Sequence, residues 1–109
     1  MVETPEAIAE VDAIAAVEGV DVVMIGCNDL STSMGVSGQT DHPKVVDAFE
    51  KLTAACKKHG KWAGMGGIVN DDHARSYVEM GVRFVLGGAE TGFIAAGAKA
   101  RSEGLRKLL

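Results

Sequence analysis

Residues 20–35 read VDVVMIGCNDLSTSMG, an apolar, β-branched run that gives way at Gly26 to a cluster of polar side chains. The run is short and almost continuously apolar, as expected of a strand covered on both faces of a parallel sheet. A strand that ends in Asn28, Asp29 and Ser31 puts polar groups where α/β proteins keep their chemistry, at the carboxyl ends of strands.

Working outward, the apolar spacing alternates between helical and strand periods along the chain. Upstream, Thr4 and Pro5 form a helix start, Ile8, Val11, Ile14 and Ala15 mark one face, and Gly19 is a stop. That predicts one helix of at most about four turns. Downstream, 27–40 reads as a polar loop. Asp41, His42 and Pro43 then open a helix with Val45, Phe49, Leu52 and Cys56 on its inner face, and Gly60 ends it.

KWAGMGG (61–67) is the weakest strand by propensity because of its three glycines, but its place between two helices supports it. Asn70, Asp71 and Asp72 start a third helix with Ala74, Tyr77 and Val78 inward, and Gly81 stops it. VRFVLGG (82–88) reads as a clear strand, and Thr91 begins a last helix whose basic far end suits its negative pole. Met1 and Val2 read as the end of one more strand.

The alternation predicts an α/β fold, a parallel sheet with crossover helices. Nothing marks an internal boundary, so residues 1–109 read as a single partial domain. A sheet this narrow leaves edges and a face uncovered, so further strands or other chains are expected to cover them.

The chain has 47% hydrophobic and 24% charged residues and a net charge of −4, which fits a globular protein and offers no basic stripe for a nucleic-acid backbone. No apolar run approaches the roughly 20 residues that span a bilayer, and the start has no signal-like segment. Neither nucleic acid nor membrane is expected as a partner, and a cytoplasmic location is. Cys27 and Cys56 have no metal or redox spacing. Cys27 is read as a small apolar residue before a reactive thiol, because nothing nearby in sequence is placed to lower its pKa.

Glu3 and Asp29 are the informative pair. They fall on adjacent strands at the same sheet end, where two carboxylates suit a hard divalent cation such as magnesium or manganese. On pattern alone simpler roles come ahead of the metal: Glu3 at the positive end of a helix, Asp29 capping the LSTSMG turn. His42 reads as a local capping or surface residue, and His59 and His73 as solvated surface residues. The glycines of GMGG and LGGAE match no full phosphate-binding fingerprint and are read as close-packing positions.

Several motifs stand in a familiar order: ET at 3–4, IG..DLS..MG at 25–35, HP at 42–43 and G..TG at 88–92. In these the chain resembles the carboxyl-terminal half of the HpcH/HpaI aldolases, class II pyruvate aldolases related to 4-hydroxy-2-oxoheptanedioate aldolase and 2-dehydro-3-deoxyglucarate aldolase. The resemblance implies half of a (β/α)8 TIM barrel. It implies that Glu3 and Asp29 hold a divalent cation (magnesium, manganese or cobalt), and that backbone amides at Asn28 and Asp29 hold the substrate carboxylate. The implied chemistry is Lewis-acid activation of a 2-oxo acid as a carbon–carbon bond breaks or forms, with pyruvate and an aldehyde as small-molecule partners.

The chain departs from the family at Cys27, where Pro or a small residue is usual, and at Met1, where Gln is usual. The family's catalytic His and substrate Arg belong to the other barrel half, so no catalytic acid or base is assigned in this chain. Alternatives are a citryl-CoA lyase-like enzyme and an inactive half-barrel that self-associates. Family members tend to exchange the last helix within homo-oligomers, which implies a partner-facing role for 91–109; otherwise Phe93 and Ile94 would pack on the chain's own sheet.

Overall fold

The computed structural model describes residues 1–109. Thr4 is extended and its Oγ1 accepts from the Ala7 N–H at 3.2 Å, which starts α1 (Pro5–Ala9). The single helix expected up to Gly19 is interrupted: Glu10 takes φ −98° and ψ 10°, and the chain resumes as α2 (Val11–Ala15). Glu10 is not a residue type that marks a break. Ile8, Val11 and Ala15 stay buried across it.

Strand β1 (Val22–Gly26) runs parallel to β2 (Trp62–Gly66), in register from Val22 opposite Trp62 to Gly26 opposite Gly66. β2 in turn pairs in parallel with β3 (Phe84–Val85), so the sheet order is β1-β2-β3. On the other side of β1, the Val2 N–H donates to the Met24 carbonyl at 2.7 Å and the Gly26 N–H donates to the Val2 carbonyl at 3.3 Å. Val2 thus forms a parallel bridge with Ile25 and supplies the expected trace of a further strand.

Two expectations are corrected. The polar loop predicted from 27 contains a helix, α3 (Cys27–Ser33), that begins as soon as β1 ends. Its inward side chains, Cys27, Leu30 and Ser31, are fully buried. The Ser31 and Thr32 hydroxyls satisfy the Asn28 carbonyl within the helix, at 3.0 and 2.8 Å. The apolar run at 82–88 yields only two strand residues, β3, both exposed. β3 has a partner on one side only, and Phe84 and Val85 stay 44% and 47% exposed.

The glycine-rich β2 is by contrast fully formed, because its neighbours need the room. A Cβ on Gly64 would stand 2.7 Å from Met24 Cβ, and one on Gly66 would stand 3.2 Å from both Leu86 Cδ1 and Met24 Cε. The close-packing reading of GMGG therefore holds at these positions.

Helix α4 (Pro43–His59) is capped by His42, whose Nδ1 accepts from the Lys44 N–H at 3.2 Å, and ends at Gly60 with φ 67°. Its predicted inner face is buried: Val45, Phe49, Leu52 and Cys56, joined by Ala48 and Ala55. Asn70 Oδ1 caps α5 (Asp71–Met80) by accepting from the Asp72 and His73 N–H groups at 2.9 and 3.1 Å. Of the inner face predicted there, Tyr77 is buried and Ala74 partly so, while Val78 is exposed. Tyr77 stacks on Phe49 with ring centroids 3.9 Å apart, joining α5 to α4.

Helix α6 (Glu90–Arg106) buries no residue. Phe93 and Ile94 are 63% and 70% exposed, so they do not pack on the chain's own sheet as one expectation had it. No helix is long and apolar enough to cross a membrane.

Candidate functional site

The carboxyl ends of the strands enclose a cleft of about 160 Å³ whose lining includes Glu3, Gly26, Asn28, Asp29, Gly66 and Gly67. Each arrives there for a local reason. Glu3 follows Val2, whose two hydrogen bonds fix it beside the end of β1. Asn28 and Asp29 lie in the first turn of α3, so their N–H groups precede the first intrahelical bond that geometry allows. Asp29 there sits near the positive end of a short helix dipole.

Gly26 makes the approach of Glu3 possible. A Cβ at that position would overlap Glu3 Oε1, and it would stand 2.8 Å from Met1 Sδ and 2.9 Å from Glu3 Cγ. The Glu3 carboxylate therefore occupies the space that any other residue at 26 would fill. Across the cleft, Gly67 turns at φ 79°, and a Cβ there would stand 3.0 Å from Asn28 Nδ2. Two glycines thus bring backbone against Glu3 and against Asn28.

A larger cavity of about 450 Å³ lies between α1, α2 and α4, lined by residues such as Ile8, Val11, Ala55 and Lys58. It is distant from the strand ends and collects no set of groups suited to chemistry. The smaller cleft is the candidate site because both predicted carboxylates border it.

The donor set fits a hard cation in part. No group of three or more His, Cys, Asp or Glu side chains converges anywhere in the chain. Two carboxylates are nonetheless the usual protein share for magnesium, which keeps several waters and takes substrate oxygens as well. Of the other residues expected at strand ends, Asn70, Asp71, Asp72, Glu90 and Thr91 do not border the cleft; the first three build the start of α5.

Cys27 borders the cleft but is fully buried, and burial pushes its thiol up to about 12, partly offset by a backbone hydrogen bond at Gly66. It is a packing residue with no useful thiolate near neutral pH. Two histidines read as solvated are in fact engaged. His59 Nε2 lies 3.1 Å from Asp12 Oδ1, beside the Lys58 ammonium at 2.8 Å from Oδ2, which ties α4 to α2. His73 Nδ1 lies 2.8 Å from Thr40 Oγ1, and its Nε2 lies 3.6 Å from Asp41 Oδ2. No local pattern around position 73 signals a contact to Thr40, 33 residues away.

Residues 1–96 match the family described as HpcH/HpaI aldolase/citrate lyase. A 4-hydroxy-4-methyl-2-oxoglutarate aldolase of Hapsidospora irregularis is 40% identical over 100 residues, 90% of this chain and 37% of that protein. A 5-keto-4-deoxy-D-glucarate aldolase of Klebsiella pneumoniae is 37% identical over 106 residues, 97% of this chain and 41% of that protein. Among solved structures, an HpcH/HpaI aldolase/citrate lyase family protein of Burkholderia cenocepacia superposes with a TM-score of 0.83 at 31% identity. That superposition covers 96% of this chain and 40% of the other. The chain thus spans about two fifths of the length of the relatives it matches.

Proposed function

The chain belongs to the HpcH/HpaI aldolase/citrate lyase family, and we propose that it is one partial domain, carrying the metal-binding half of an aldolase site. The reaction would be cleavage or formation of 4-hydroxy-2-oxo acids, with pyruvate as product or donor and an aldehyde as second partner. One observation carries this reading: Glu3 and Asp29, on neighbouring strand ends, border the same cleft beside first-turn amides of α3.

Within that cleft Glu3 and Asp29 would hold a divalent cation such as magnesium, manganese or cobalt. When bound, the cation would supply Lewis-acid polarisation of the 2-oxo acid's keto group. The chain's own groups do the rest of the binding. The N–H groups of Asn28 and Asp29 would donate to the substrate carboxylate, and the missing Cβ at Gly67 leaves room for the Asn28 side chain. Proton transfer would come from residues outside this chain, in the part of the relatives that it does not span.

The test is a chimera in which residues 1–109 replace the matching segment of the Klebsiella relative, assayed for pyruvate release with added manganese. Glu3→Ala and Asp29→Ala should each lower turnover about a hundredfold or more, since each removes a direct metal ligand. Unchanged turnover in either variant would contradict the assignment.

A second reading has its own observation in favour. Every residue from 83 to 109 is exposed, including Phe84, Val85, Leu86, Phe93 and Ile94. Apolar surface of this extent calls for a partner. On that reading the chain alone is an inactive half-barrel that self-associates.

A further inference from the structure

The turn-rich connection 34–42 joins α3 to α4, and it is hydrogen-bonded at both ends in an unusual way. At one end it grips α3. The Gly38 N–H donates to Ser31 Oγ at 3.2 Å, the Val36 N–H donates to the Ser31 carbonyl at 2.8 Å, and Ser37 Oγ meets Thr32 Oγ1 at 2.9 Å. Ser31 and Thr32 are the two hydroxyls that donate to the Asn28 carbonyl.

At the other end the connection grips α5. Thr40 Oγ1 meets His73 Nδ1 at 2.8 Å, and the Tyr77 hydroxyl donates to the Thr40 carbonyl. The His73 backbone is itself fixed by the Asn70 cap, at 3.1 Å. Thr40 is 9% exposed, and Ser31 and Tyr77 are 0% and 1% exposed. Three of these polar groups therefore sit where an unmade hydrogen bond is costly.

We propose that His73 and Thr40 are positioning residues: through the connection 34–42 they hold the first turn of α3, and with it Asn28 and Asp29, in its place at the cleft. The functional weight of this latch rests on the reading of Asn28 and Asp29 as binding groups. The geometry of the latch does not. Three links carry it in sequence: the His73 ring holds the Thr40 hydroxyl, the Thr40 N–H donates to the Gly38 carbonyl at 3.1 Å, and the turn at 37–38 holds the hydroxyls behind Asn28.

Residue-resolved amide hydrogen exchange on the whole chain tests it. Thr40→Val removes the hydroxyl and keeps the shape, His73→Phe keeps a ring without nitrogens, and Thr40→Ser restores the hydroxyl. In the first two variants the Gly38 amide should exchange about tenfold faster, the loss of roughly one buried hydrogen bond. The Asn28 and Asp29 amide resonances should shift as well, while the α4 interior keeps its protection and Thr40→Ser behaves as wild type.

Unchanged Gly38 exchange and unshifted Asn28 and Asp29 resonances in Thr40→Val would overturn the proposal. So would equal acceleration across α4, which would make the contact a general stabiliser. Should His73→Phe fail to fold, Thr40→Val and Thr40→Ser decide the matter between them. Manganese titration with pyruvate on the same samples separates the two ideas: a wild-type chain with no affinity counts against the aldolase site, while the exchange data still judge the latch.

Discussion

Residues 1–82 and 83–109 obey different physics. All of the buried core lies in the first stretch, where α2 and α4 cover one face of β1 and β2, and Phe49, Leu52, Ile25 and Tyr77 are almost wholly removed from water. In the second stretch every residue is exposed, α6 included. Its helix has no side-chain cap, only Glu90 in its first turn and Arg106 in its last to suit its dipole, and its apolar side chains stay exposed. The molecule accordingly extends 60 Å along its longest axis, against 30 and 21 Å for the others. Half a barrel can pack one layer of helices on its sheet, but the inner face and the last helix need strands and helices from elsewhere.

The largest break in this contrast should come from Phe49→Ala. The side chain is fully buried and stacked on Tyr77, so its loss should cost about 3–5 kcal/mol, a large share of the stability of a small domain. Urea denaturation followed by far-ultraviolet circular dichroism would measure it. A change below about 1 kcal/mol would mean that the core is not where burial puts it.

Paired Phe93→Ser and Ile94→Ser should do the reverse. With both side chains mostly in water, the unfolding free energy of the isolated chain should change by less than about 0.5 kcal/mol. Self-association, read by sedimentation or light scattering, should fall sharply. If instead the midpoint drops and association persists, α6 packs on its own chain.

The smallest effect belongs to Asp12. Hydrogen bonds from Lys58 and then His59 hold its carboxyl below the usual 3.8, and this exposed cluster joins α2 to α4. Because the folded pKa is depressed, the contribution is present above pH 3.8 and is lost as the pH falls through the lower folded value. Asp12→Asn should flatten the stability profile in that acid window, and salt should weaken the wild-type contribution. Stability curves of wild type and variant that run parallel below pH 4 would contradict it.

The same contrast explains what the residue pattern could reveal. The alternation of periods exposed the parallel α/β plan, and the inner face of α4 was legible to the residue because a long amphipathic helix averages over local noise. Strand length was not legible. Propensity favoured VRFV over WAGMG, yet β2 has a strand on each side and glycines that admit Met24, while β3 has one neighbour and exposed side chains.

The site divides in the same way. Glu3 and Asp29 could be placed at one end of the sheet because strand ends follow from the alternation. That Asn28 and Asp29 begin a helix, and that His73 reaches Thr40, depends on contacts between segments far apart in the chain. Hydroxyls such as those of Ser31 and Thr32 looked like turn residues, since the same side chains serve turns and helix interiors by bonding nearby carbonyls.

The most direct measurement is manganese binding to the purified chain by calorimetric titration, with and without pyruvate, for wild type, Glu3→Ala and Asp29→Ala. Weak binding by the wild type that pyruvate strengthens, and that each substitution abolishes, is the predicted result. Binding that is the same in all three proteins, or absent from the wild type at millimolar metal with pyruvate present, would contradict the claim that this chain carries the metal-binding half of the site.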